Sequence, residues 1–147
     1  MRPVGWFAFN IACVEGGTPL FRTDFGPDNL PHETGVVDRR VSFTKGCFLG
    51  QEVVARMERR GRASRTLVGL RVRRDLLPVA SAQVFAQAGA GAGDSVGFVT
   101  SSTFSPMLGA RPIAFAMMRA AHAGPGKTVL VGAEGEECQA SVDDLRF

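Results

Sequence analysis

The chain has 147 residues, 45% of them hydrophobic and 21% charged, which is a globular composition and excludes a disordered or fibrous protein. The net charge is +3, yet it is made in a lopsided way: 15 of the 17 basic residues are Arg and only Lys45 and Lys127 are Lys. Guanidinium forks grip phosphate and carboxylate in bidentate fashion, so an anionic partner competes with a simple coding bias as the explanation.

The first apolar run, residues 6–15, reads as a buried strand or short helix ending at Glu15. A secretory signal is not expected here, because Asn10 interrupts the run and glycine-rich polar sequence follows at once. Residues 15–35 hold three Pro and four Gly without apolar periodicity, which predicts a long loop wrapped over a neighbouring surface. A helix is predicted from Gln51 to Arg60, with Val53, Val54 and Met57 on one apolar face. Gly50 is its permissive entry and Gly61 its stop.

After Arg62 the texture changes. Six short β-rich runs follow, at 66–72, 82–87, 95–102, 112–118, 127–132 and 138–145. Turn-like segments such as AGAGAGD (88–94) and HAGPGK (122–127) separate them. Strands at such spacing predict a small barrel or sandwich. The chain therefore divides into residues 1–62 and 63–147, the first part too poor in periodic apolar segments for an independent core. No 18-residue apolar stretch is available to span a membrane.

Cys13, Cys47 and Cys138 form no CxxC pair. Their spacing and odd number speak against a self-contained metal site or a disulfide framework, and fit a reducing cytoplasm. Cys47 is the one with chemistry around it. Lys45 and a helix start both favour a thiolate, and Gly46 and Gly50 leave main-chain N–H groups open to a ligand. The competing reading is a small buried residue in a tight turn.

The segment SFTKGCFLGQE (42–52) resembles the K-G-C-[Tyr or Phe]-x-G-Q-E signature of the YgfZ family, folate-binding relatives of the glycine cleavage aminomethyltransferase. Lys45, Gly46, Cys47, Phe48, Gly50, Gln51 and Glu52 match it. Upstream, VEGGTPLFRTDF and NLPHETG resemble the family's E-x-G-x-P…D and L-P-x-E-x-G stretches. Downstream, GFVTSSTFSPMLG and PIAFAMM resemble its C-terminal barrel. Two positions differ: Cys13 stands where the family commonly has Arg, and Arg22 where it has Gly.

The resemblance implies an α+β fold, the C-terminal part of an aminomethyltransferase-like folate-binding domain (1–62) followed by a small antiparallel β-barrel (63–147). The family's N-terminal part would precede it, and apolar surface is expected near residues 6–14 and 48–57, where that part would pack. It implies tetrahydrofolate or a derivative as ligand, bound weakly by this chain alone, with iron–sulfur enzymes and tRNA modification as the setting. Cys47 and Lys45 become the reactive pair. Glu15 becomes the pterin contact, a carboxylate suited to adjacent N–H donors, with Gly46, Gly50, Gln51, Glu52 and Arg56 as further ligand-facing residues.

From Arg56 to Arg74 there are eight Arg against one acid, Glu58. A solvated face, the polyglutamate tail of a folate and RNA phosphate, as in tRNA, all suit that run. No aromatic residue is interleaved, which counts against base stacking. Three functions stay open: a folate-binding accessory protein, a folate-dependent one-carbon transferase, and a plain RNA-binding module.

Overall fold

The structure, a computed structural model, describes residues 3–61, 63–88 and 91–147. Arg62 of the arginine run, and part of the AGAGAGD segment, lie outside the described residues.

Six strands form a closed antiparallel barrel: β1 (Arg65–Val72), β2 (Gln83–Ala88), β3 (Gly91–Ser105), β4 (Arg111–Arg119), β5 (Thr128–Ala133) and β6 (Glu136–Asp143). Around the barrel the order is β1-β4-β3-β2-β5-β6, with β6 returning to β1. Each predicted run becomes a strand. The largest difference is β3, which extends from Gly91 through what reads as a turn segment.

Alternation along the strands makes two cores. Val68, Leu70, Val84, Val99, Ala116, Val131 and Val142 fill the interior. A second cluster lies on the outer face, where Leu67, Ile113, Phe115 and Met117 meet Val14, Val36 and Leu145. The seven-residue buried run of β4, Pro112–Met118, follows from this double duty, since a strand covered on both faces does not alternate.

The cover comes from the N-terminal segment. Helix α1 (Trp6–Glu15) packs against β3 and β4. Of the run read as buried, only Cys13 and Val14 are buried, while Trp6 at 67% and Phe7 at 70% exposure supply the apolar surface expected near residues 6–14. The loop that follows lies along the C-terminal tail. Gly35 has φ +69°, and a Cβ there would sit 2.6 Å from Leu145 Cδ1 and 2.7 Å from the Leu67 carbonyl oxygen, so glycine is required by both conformation and space.

Within the loop, Pro31–Thr34 forms a 3₁₀ turn. The buried Glu33 carboxylate accepts from the Asn29 amide at 3.1 Å and the Leu30 N–H at 3.2 Å. Helix α2 (Val37–Arg40) is a single turn that the sequence pattern did not announce.

Helix α3 (Gln51–Arg60) has the predicted bounds. Gly50 and Gly61 both adopt left-handed backbone, at φ 85° and 76°, as its entry and stop. Its apolar face is only partly covered: Val54 is buried and Met57 half-buried, while Val53 at 47% exposure adds to the apolar surface expected near residues 48–57. No described helix is long and apolar enough to cross a membrane.

Candidate functional site

The predicted site residues fall in two places. Glu15 ends α1 and reaches the β3–β4 connection, where one oxygen, Oε1, accepts the Ser105 hydroxyl and, at 3.2 Å, the Met107 N–H. Among the described residues Oε2 has no hydrogen-bond partner. The carboxylate lines a cleft of about 430 Å³ with Ala12, Met107, Leu108, Arg146 and Phe147. That size and lining suit a flat heterocycle with donors on one edge. Glu15 therefore pins α1 to the barrel with one oxygen and leaves the other unengaged at the cleft.

The second place is the segment before α3. Every residue from Ser42 to Gly50 is exposed, Lys45, Gly46 and Cys47 included. The Cys47 thiol is free, and the Gln51 side-chain N–H lies 3.9 Å from its Sγ, in reach of a weak hydrogen bond to sulfur. A cleft of about 280 Å³ beside it is lined by Phe43, Lys45, Phe48, Gln51, Glu52 and Arg59. Gly46, Cys47, Gly50 and Arg56 do not line it, and neither does Glu15; the two clefts share no residue.

The other two thiols are different in kind. Cys13 is 8% and Cys138 2% exposed. Burial pushes both thiols up from their ordinary pKa, with Asp24 adding to the rise at Cys13. At Cys138, Arg74 opposes the rise and Glu136 reinforces it.

The described members of the arginine run do not form one patch. Arg65 and Arg71 sit at opposite ends of β1, about 20 Å apart at strand rise. Arg71 pairs with Asp143, and Arg74 with Glu136 at 2.9 Å, while Arg73 donates to the Gln139 side chain at 3.4 Å. Three of its members are thus answered by acceptors on β6.

The sequence reading missed Asp24. This carboxylate is 5% exposed. Its Oδ1 accepts from the hydroxyls of Thr100 at 2.8 Å and Ser101 at 2.6 Å, and its Oδ2 from the Leu20 N–H at 2.8 Å. The signal available was the terminal D of the E-x-G-x-P…D stretch, read there as pattern and not as a buried anchor.

Comparison with known proteins now bears on the whole chain. Residues 65–147 match the glycine cleavage T-protein C-terminal barrel domain. The chain belongs to that family. An aminomethyltransferase of Moorella thermoacetica is 34% identical over 99% of the chain and 37% of its own length. A tRNA-modifying protein YgfZ of Yersinia enterocolitica is 39% identical over 66 residues, 44% of the chain and 19% of its own length. The crystal structure of the glycine cleavage system aminomethyltransferase T from Bartonella henselae superimposes with a TM-score of 0.79 at 27% identity, covering 94% of the chain and 37% of that structure. The chain thus spans little more than a third of the length of these aminomethyltransferases.

Proposed function

We propose that this chain is the KGC-bearing part of a YgfZ-like folate-binding accessory protein, serving iron–sulfur enzymes that include tRNA-modifying ones. The observation that carries this reading is the exposed, thiol-bearing segment Ser42–Gly50 at the entry to α3. A cysteine kept only for packing is normally buried, as Cys13 and Cys138 are. Residues 1–62 and 63–147 then act as two parts, a segment of the folate-holding body and a barrel that braces it.

In this reading Glu15 Oε2 faces the N–H edge of a pterin, and Met107, Leu108 and Phe147 shield its face from water. Tetrahydrofolate, when bound, supplies a carrier for a one-carbon unit. The chain's own task is to orient that carrier and to present Cys47, with Lys45 and the Gln51 amide beside the thiol. The exposed apolar residues Trp6, Phe7, Phe9, Phe48 and Leu49 are contact faces for polypeptide of the kind that makes up the rest of the relatives' length.

A second reading, an aminomethyltransferase acting in one-carbon transfer, is favoured by the match of 99% of the chain to 37% of such an enzyme. Two assays separate them. The accessory reading predicts that cells relying on this gene product lose iron–sulfur-dependent tRNA modification when Cys47 is replaced by Ala. The purified protein, supplied with tetrahydrofolate and an S-aminomethyl thioether donor, should at the same time form no methylenetetrahydrofolate and release no ammonia and free thiol. Such turnover surviving Cys47→Ala would favour the transferase instead.

A further inference from the structure

On the outer face of the barrel, strands β4, β1 and β6 lie side by side with Ile113, Arg71 and Ser141 in register. Over this row opens a cleft of about 370 Å³, lined by Arg71, Arg73, Arg111, Ser141, Leu108 and Ile113 among others. No carboxylate lines it. We propose that this cleft is a binding site for a small oxyanion-bearing molecule, one carrying a phosphate or a pair of carboxylates on a short apolar body.

Three independent features support the assignment. The charges converge: Arg71 and Arg73 leave the end of β1 as Arg111 enters the start of β4. Their existing partners leave donors over. Arg71 spends its Nε on Asp143, and Arg73 one terminal nitrogen on the neutral Gln139 side chain. Arg111 and the Ser141 hydroxyl have no acceptor among the described residues. The walls are also mixed, with Leu108, Ile113 and Val72 beside the guanidinium groups. A bare solvated arginine face has no such enclosure, and a desolvated wall strengthens each charged hydrogen bond made against it.

Rigidity favours the site too. The Arg71 side chain is fixed on two sides, by Asp143 and by the Phe147 ring 5.5 Å from its guanidinium carbon. Less side-chain freedom is then lost on binding. Leu108 lines both this cleft and the one holding Glu15, yet the anion site does not depend on what occupies the latter.

The test uses the 147-residue chain, titrated calorimetrically at low salt with inorganic pyrophosphate in one arm and glutarate in the other. The proposal expects saturable one-to-one binding of at least one probe, and the tighter probe names the chemical source of the anion. Arg111→Ala and Arg73→Ala should each weaken binding about tenfold, corresponding to roughly 1.4 kcal/mol. Arg111→Lys, which keeps the charge and loses the fork, should weaken it several-fold. Arg119→Ala removes the same charge from the far end of β4 and should leave affinity within twofold. All three positions of substitution are exposed, and an unchanged melting temperature without ligand checks the fold. Absence of saturation by both probes overturns the proposal. So does a loss in Arg119→Ala equal to that in Arg111→Ala, which would mark general charge attraction.

Discussion

Asp24 holds Thr100 by a 2.8 Å hydrogen bond across 76 residues of chain. Thr100 is the extra residue of a bulge in β3: Val99 pairs with Ala116 and Ser101 with Phe115, so Thr100 is left without a register partner. The bulge turns two successive hydroxyls toward one carboxylate, which an unbroken strand cannot do. Asp24 thereby ties the long N-terminal loop to the barrel.

Asp24→Ala would take the acceptor from the buried Ser101 hydroxyl and the Leu20 N–H, and would leave Thr100 only its long 3.4 Å contact with the Phe115 carbonyl oxygen. The expected loss is about 3 kcal/mol, from donors left unsatisfied. For a chain of this size that lowers the melting temperature by about 10 °C. Thr100→Val, which removes one donor and keeps the shape, should cost less than half as much. Thermal unfolding of the two variants checks both; equal losses would show that the hydroxyl pair is not the cause.

Much of the fold was legible in the sequence, for local reasons. Helix α3 was bounded by Gly50 and Gly61, whose left-handed backbone is a property of single residues. The strands were legible because β-rich runs and turn residues alternate. Exposed apolar surface near residues 6–14 was expected from the resemblance, but which residues of α1 are covered was not legible, since Trp6, Phe7 and Phe9 are as apolar as any core residue and only tertiary packing decides the covered side. The strand order was not legible either, because closing β6 onto β1 depends on pairings far apart in sequence. The same holds for the site. Cys47 and Glu15 stood out by pattern, whereas Asp24 needs Thr100, and the anion cleft needs Arg111 beside Arg71.

Arg22 carries a second prediction. Its backbone has φ 69°, and its N–H donates to the Phe25 carbonyl oxygen at 2.7 Å, so a tight turn holds a bulky residue in the left-handed region. This is the position where the related pattern has glycine. Relief of roughly 1–2 kcal/mol of strain, set against the greater freedom of glycine in the unfolded chain, about 0.5–1 kcal/mol, leaves a small net gain. Arg22→Gly should raise the melting temperature by about 1–3 °C, while Arg22→Ala should not. A fall in Arg22→Gly would mean that the Arg22–Phe21 stacking outweighs the strain.

The thiols supply a third. Cys47 is exposed whereas Cys13 and Cys138 are buried with raised pKa, so a thiol reagent at neutral pH should modify Cys47 first and the others only on unfolding. Equal rates at all three would return Cys47 to the packing class. The raised pair also bears on stability. The folded state keeps protons that the unfolded state releases, so their contribution is complete below the unfolded thiol pKa, about 8.5. It is lost as pH rises through the folded values. The melting temperature should therefore decline on the alkaline side of that point, and Cys138→Ala should make the decline shallower.

Folate recognition is the central claim, and Glu15 is its most exposed point. One charge-assisted contact contributes about 1.5–3 kcal/mol, whereas a micromolar complex needs roughly 8 kcal/mol. The rest must come from walls that enclose the ligand. The Glu15 cleft is lined only by α1, the β3–β4 connection and the C-terminal tail. The most direct measurement is a calorimetric titration with tetrahydrofolate of the chain alone, and of the chain joined to the preceding segment of the Moorella aminomethyltransferase. The account predicts weak or no binding by the chain alone and a stoichiometric complex in the joined protein. That complex should weaken at least tenfold in Glu15→Gln, which can still accept from Ser105 and Met107. A tight complex with the chain alone, or a joined complex indifferent to Glu15→Gln, would contradict it.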